Sequence, residues 1–124
     1  MNMQDSIAAA RVSGPLVQGD GTTAFEFRFS AAEPVFAGHF PGWPLLPGIF
    51  QLEMARLAAE CVLKHRLKVR EISKAKFLRP ILPEELVRLA LKLSEQGGTI
   101  QARASLSVEG QPAGETILML CRND

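Results

Sequence analysis

Cysteine and histidine are scarce in this chain of 124 residues, with two of each. Cys61 and Cys121 lie far apart and belong to no Cys-x-x-Cys or Cys/His pair, which argues against a disulfide framework and a structural zinc site. Both read as small core residues. No apolar run approaches the ~18 residues that a membrane span needs, and the opening MNMQDSIAAARVSG lacks the basic region and long apolar core of a secretion signal. The expected compartment is the cytoplasm, with no membrane partner. Internal repeats and low-complexity tails are also missing, and a net charge of +1 gives no general signal for nucleic acid. What remains is ordinary globular composition, 47% hydrophobic and 22% charged, in a length that suits one domain over residues 1–124.

The charge is unevenly spread. Lys64, Arg66, Lys68, Arg70, Lys74, Lys76 and Arg79 stand against the single acid Glu71, so this segment carries +6 and the rest of the chain −5. Two readings are open: an edge strand guarded by lysines, or a face that favours an acidic partner.

Period-two alternation marks the strands. Thr22 to Phe29 places Phe25, Phe27 and Phe29 on one face, with Glu26 and Arg28 on the other. Ala8 to Val17 is a weaker strand, broken at Gly14-Pro15. Val69 to Leu78, Leu86 to Leu93, Ile100 to Val108 and Thr116 to Cys121 follow, with turns at Gln96-Gly97-Gly98 and Glu109-Gly110-Gln111, and together they read as a meander. Between the first strands and these, Ile49 to Arg66 predicts a helix of about five turns that is apolar around most of its circumference and hence enveloped. Lys64, His65 and Arg66 are expected at its negative end. Its polar stripe is Glu53, Arg56, Glu60 and Lys64. The order of elements predicts an α+β fold, an antiparallel sheet curled around one helix.

The segment Glu33 to Gly48 holds four prolines yet also Phe36, Phe40, Trp43, Leu45 and Leu46. It reads as a stiff loop packed on the core, of the kind that positions functional groups. His39 lies within it, either as a satisfied structural histidine or as a partly desolvated neutral imidazole suited to a general base. His65 reads as an exposed cation at the helix end. Glu53 is either paired with Arg56 at i, i+3 or buried with a raised pKa, in which case a protonated carboxyl could serve as general acid. At the helix start, free N–H groups near Gly48 can hold a carbonyl oxygen as it gains charge, and glycine there admits close approach. Base, acid and oxyanion donor within fifteen residues suggest proton chemistry beside a carbonyl.

The run GHFPGWPLLPGIFQLEMA, Gly38 to Ala55, resembles the signature of the 3-hydroxyacyl-[acyl-carrier-protein] dehydratases of the FabZ/FabA kind, a Gly-His-Phe-Pro-Gly loop with an acid fourteen residues after the histidine. AKFLRPILPEE, Ala75 to Glu85, is similar to that family's strand and Arg-Pro turn. The resemblance implies a hot-dog fold, homodimers at least and possibly hexamers, and sites shared between subunits. It implies reversible dehydration of a 3-hydroxyacyl thioester to the trans-2-enoyl thioester, in fatty-acid or a specialised acyl, polyketide or aryl-polyene pathway, with no metal or other cofactor. His39 would take the C2 proton, and Glu53 would protonate or position the C3 hydroxyl. The Gly48 N–H would bind the thioester carbonyl, the Leu45 carbonyl would orient His39, and Phe40 and Pro47 would contact substrate. Acyl carrier protein would dock on Lys74, Lys76 and Arg79, although Arg79 could instead brace its turn through Glu84 or Glu85. Two departures from the family pattern stand out: Leu57 replaces a glutamine four residues after the acid, and the N-terminal portion is short, without that family's helix and Pro-Phe-Leu-Leu-Val-Asp-like strand. An acyl thioesterase and a noncatalytic subunit that binds acyl chains or carrier protein are the alternatives.

Overall fold

The computed structural model describes residues 2–37 and 45–123. Its elements in chain order are α1 (Met3–Ala10), β1 (Arg11–Val17), β2 (Thr23–Arg28), a 3-10 turn (Pro34–Phe36), α2 (Gly48–Leu63), β3 (Leu67–Phe77), β4 (Leu86–Gln96), β5 (Thr99–Val108) and β6 (Gln111–Arg122). The strands form one antiparallel sheet of order β1-β2-β4-β5-β6-β3, and α2 lies against it. This is the α+β architecture that the alternating strands and the one apolar helix imply.

The sheet follows from its pattern and its turns. Val87, Leu89 and Leu91 of β4, Ile100, Ala102, Ala104, Leu106 and Val108 of β5, and Leu118 and Leu120 of β6 are buried on one face. Gly97-Gly98 and Glu109-Gly110 both sit at positive φ, which suits the two-residue turns that join β4 to β5 and β5 to β6. The meander therefore covers β4 to β6 only. β3, reached from β2 through α2, crosses over to pair with β6 at the sheet's end.

Three expectations change at the N-terminal half. The N-terminal portion does hold a helix, and residues Ala8 to Ala10 belong to it rather than to a strand: the Asn2 side chain accepts from the Asp5 N–H at 2.8 Å and caps α1, which buries Ser6, Ile7 and Ala10. β1 is not broken at Gly14-Pro15 but continues through an irregular register, where a Cβ on Gly14 would stand 2.6 Å from the Ala24 carbonyl oxygen. α2 ends at Leu63, since Lys64 adopts a left-handed conformation and donates its N–H to the Glu60 carbonyl. Lys64, His65 and Arg66 thus lie beyond the helix; the half-buried His65 ring donates from Nδ1 to the Arg66 carbonyl at 2.8 Å. Cys61 and Cys121 are half-buried rather than core residues, and both are free thiols.

The helix is enveloped on the side that meets the sheet. Phe50, Gln51, Met54, Ala55, Ala58 and Ala59 are buried, the small alanines allowing close packing against the strands. No helix among the described residues is long and apolar enough to cross a membrane.

Candidate functional site

His39 and Phe40 lie outside the described residues; the site is built from what surrounds them. Leu45 and Pro47 are half-buried, and Leu46 between them is buried with its N–H on the Ile81 carbonyl at 2.8 Å. Pro47 is the N-cap residue of α2, with no side-chain cap; the Phe50 N–H donates to the Pro47 carbonyl at 3.0 Å, while those of Gly48 and Ile49 keep no intrahelical acceptor. Glycine at position 48 is explained by a close neighbour: a Cβ there would stand 2.6 Å from Cζ of Phe77. The space at Gly48 is thus held by the ring of Phe77, the last residue of β3, which is 51% exposed.

Five residues farther along α2, both oxygens of Glu53 are engaged by Arg56. Nε donates to Oε1 at 2.6 Å and Nη2 to Oε2 at 2.8 Å, while Gln4 of α1 donates to Oε2 at 3.3 Å. The hydrogen bond from Arg56 outweighs desolvation and holds the Glu53 carboxyl below its ordinary range. A raised pKa and a protonated Glu53 are overturned by this pairing; the group is a carboxylate near neutral pH. Arg56 in turn donates from Nη1 to Glu60 Oε2 at 2.7 Å and to the Leu67 carbonyl at 2.9 Å, and Glu60 Oε2 accepts the Leu67 N–H at 2.8 Å. The stripe Glu53, Arg56, Glu60 therefore ties the outer face of α2 to the first residue of β3.

Of the basic residues, Lys74 pairs with Glu115 at 2.9 Å and Arg79 with Glu85 at 2.9 Å, so two of the three are partly neutralised. Arg79 braces its turn, where Glu85 also accepts the Leu82 N–H at 2.7 Å. Lys76 is exposed. Because Phe77 follows Lys76 and lies against Gly48, the end of the basic strand is brought to the start of α2. The lysine-guarded edge is thus real: β3 is an end strand of the sheet.

Of the two readings of Glu53, pairing with Arg56 is the one the structure shows; sequence reasoning missed Phe77 as the cover of Gly48, and Gln51. Gln51 is 2% exposed, with Oε1 unpartnered among the described residues and lodged against Gly114 of β6; the buried Thr116 Oγ1 is likewise unpartnered. An amide on the apolar arc of a helix was the available signal. Among the described residues no group of three His, Cys, Asp or Glu is placed to hold a metal.

The ApeI-like family, described as ApeI dehydratase, matches residues 17–112. The 3-hydroxyacyl-[acyl-carrier-protein] dehydratase FabZ of Pelotomaculum thermopropionicum is 36% identical over 98 residues, covering 73% of this chain and 70% of the relative. FabZ of Mannheimia succiniciproducens is 37% identical over 102 residues, covering 75% and 68%. Among solved structures, the dehydratase heterocomplex ApeI:P from Xenorhabdus doucetiae superposes with a TM-score of 0.71 at 24% identity, over 90% of this chain and 96% of that one, a likeness of hot-dog fold.

Proposed function

We propose, from the premise that the chain belongs to the ApeI-like dehydratase family, that it removes water reversibly from a 3-hydroxyacyl thioester borne on acyl carrier protein and yields the trans-2-enoyl thioester. The observation that carries this reading is the run from Gly38 to Ala55, which lies wholly within the matched span 17–112. The structure supports it by setting Gly48 and Glu53 near one end of α2.

The chemistry distributes as follows. Free N–H groups at the helix start receive the thioester carbonyl oxygen as it becomes enolate-like, which acidifies C2. His39 removes the C2 proton, with the Leu45 carbonyl holding its ring. Glu53, ionised through Arg56, accepts a hydrogen bond from the C3 hydroxyl and orients it. The imidazolium of His39 then returns the proton to the departing hydroxide, so one water leaves and the C2–C3 double bond forms. Phe77 must swing from Gly48 for the carbonyl to reach the backbone, and its half-exposed position leaves room for this. Phe40 and Pro47 would line the approach.

The site would be shared between two copies of the chain. Among the described residues β3 offers an unpaired edge, and Val69, Ile72, Phe77 and Leu78 on or beside it are exposed apolar residues that a second copy would cover. His39 of one subunit would then face Glu53 of the other; hexamers would be trimers of such dimers. Carrier protein would approach over Lys74, Lys76 and Arg79, with Lys76 the most available. The pathway would be fatty-acid or specialised acyl synthesis.

The test is incubation with 3-hydroxyacyl-carrier-protein thioesters, following loss of water by mass spectrometry. His39→Ala and Glu53→Gln should each lower turnover at least ~100-fold with the fold intact. Wild-type turnover retained in either variant would sink the mechanism.

A further inference from the structure

An ionised carboxylate offers about four lone-pair sites, shared equally between its oxygens. On Glu53, Arg56 Nε donates to Oε1 at 2.6 Å, while Arg56 Nη2 at 2.8 Å and Gln4 Nε2 at 3.3 Å both donate to Oε2. Arg56 alone would leave the two oxygens equivalent, each with a site open. Gln4 removes that symmetry: Oε2 is filled, and among the described residues Oε1 has a single donor. Resting on the dehydratase reading, we infer that Gln4 is a positioning residue of the reaction, which closes Oε2 and so reserves Oε1 as the acceptor for the C3 hydroxyl of the substrate.

The carboxylate is steadied from two directions outside its own helix. Arg56 ties it to the start of β3 through the Leu67 carbonyl, and Gln4 ties it to α1. α1 is itself anchored: Asn2 caps it, Ser6 Oγ donates to Glu33 Oε1 at 2.8 Å, and Ile7 is buried. Only the Gln4 side chain therefore has freedom to lose when the bond forms.

Leu57 explains why the amide comes from α1. It lies four residues after Glu53 on α2, where a side chain can meet the carboxylate, but leucine has nothing to donate. Leu57 and Gln4 line the same cavity, so the α1 amide stands beside the position that α2 leaves without a donor. With one acceptor instead of two, the C3 hydroxyl has one hydrogen-bonded placement, and the departing oxygen is held for a single proton donor.

The experiment measures kcat and KM on 3-hydroxyacyl-carrier-protein thioesters for the whole chain, for Gln4→Leu, and for Gln4→Leu combined with Leu57→Gln. Gln4 is exposed, so Gln4→Leu should melt together with wild type. Loss of this one hydrogen bond should lower kcat about 3- to 10-fold. KM should hardly move, because the hydroxyl is oriented for the chemical step and not for binding. Leu57→Gln should restore most of the lost kcat by offering an amide from α2; a merely structural role of Gln4 would gain nothing from it. Gln4→Glu keeps the shape but turns a second negative charge toward Glu53, and should cost more than Gln4→Leu. This comparison decides the role should the Leu57→Gln chain fail to fold. Wild-type kcat in Gln4→Leu or Gln4→Glu, or a loss that a folded Leu57→Gln chain leaves unrepaired, overturns the role of Gln4 while the dehydratase reading stands. Absence of turnover by wild type on every thioester overturns that reading, and the role with it.

Discussion

Glu53 gives both carboxylate oxygens to the guanidinium of Arg56, three residues farther along the helix, at 2.6 and 2.8 Å. The pairing decides the protonation state of the residue on which the proposed chemistry turns, and it links that residue through Leu67 to the strand edge where two subunits would meet.

The pair makes stability depend on acid. Arg56 lowers the Glu53 pKa in the folded chain, so the folded state binds a proton less readily than the unfolded state does. The contribution is fully present above the unfolded value of ~4.3 and fades as pH falls through the lower folded value. Melting temperatures from pH 7 to pH 3 should therefore fall more steeply for wild type than for Arg56→Met, which is already weaker at pH 7 by ~1–3 kcal/mol through loss of its charged hydrogen bonds. Parallel curves would show that the pair is not the acid-sensitive element.

Mixing inactive His39→Ala with inactive Glu53→Gln chains should restore activity in mixed dimers, each with one intact site. If mass spectrometry shows that the subunits exchange and activity stays at background, His39 and Glu53 belong to sites within one chain.

The ion pairs of β3 divide the basic residues by role. Lys74→Glu and Arg79→Glu remove partners from Glu115 and Glu85 and should slow carrier-bound and free pantetheine substrates alike, with a lower melting temperature. Lys76→Glu should slow only the carrier-bound substrate, and that loss should shrink as salt rises. Equal effects of Lys76→Glu on both substrates would remove this strand from carrier docking.

Two glycines face different obstacles. Gly114→Ala drives a methyl group into the buried Gln51 amide, which has nowhere to go, and should cost ~1–3 kcal/mol of stability. Gly48→Ala meets only the half-exposed Phe77 ring, so chemical denaturation should find it within about 1 kcal/mol of wild type, helped by alanine's helix propensity. Its turnover should nevertheless drop. A large destabilisation at Gly48 relieved by Phe77→Ala would mean that the ring is fixed.

Much of this was legible before any coordinates. The phenylalanines of β2 and the alternation in β4 and β5 dictate which face is buried, because a strand has only two faces. The helix start was legible at Pro47-Gly48, but its end was not, since the left-handed turn falls on Lys64 where glycine is usual. α1 was hidden among alanines that suit several states; its signal is Asn2 with Asp5 three residues on. At the site, the pattern could pair Glu53 with Arg56 but not weigh hydrogen bonding against burial, which needed distances. Phe77 reaches Gly48 only through the crossover of β3, a long-range fact that no local pattern contains.

The strand order has a further effect during synthesis. β3 emerges well before β6, the only strand it pairs with among the described residues. Until β6 leaves the ribosome, β3 has no strand partner among the described residues, with Val69, Ile72 and Phe77 exposed along it. Its lysines and arginines act in that interval as gatekeepers against strand addition by neighbouring nascent chains. A message truncated before Gln111 would thus yield not a weakened enzyme but a sticky one, because the strand that covers β3 is translated after every other strand of the sheet.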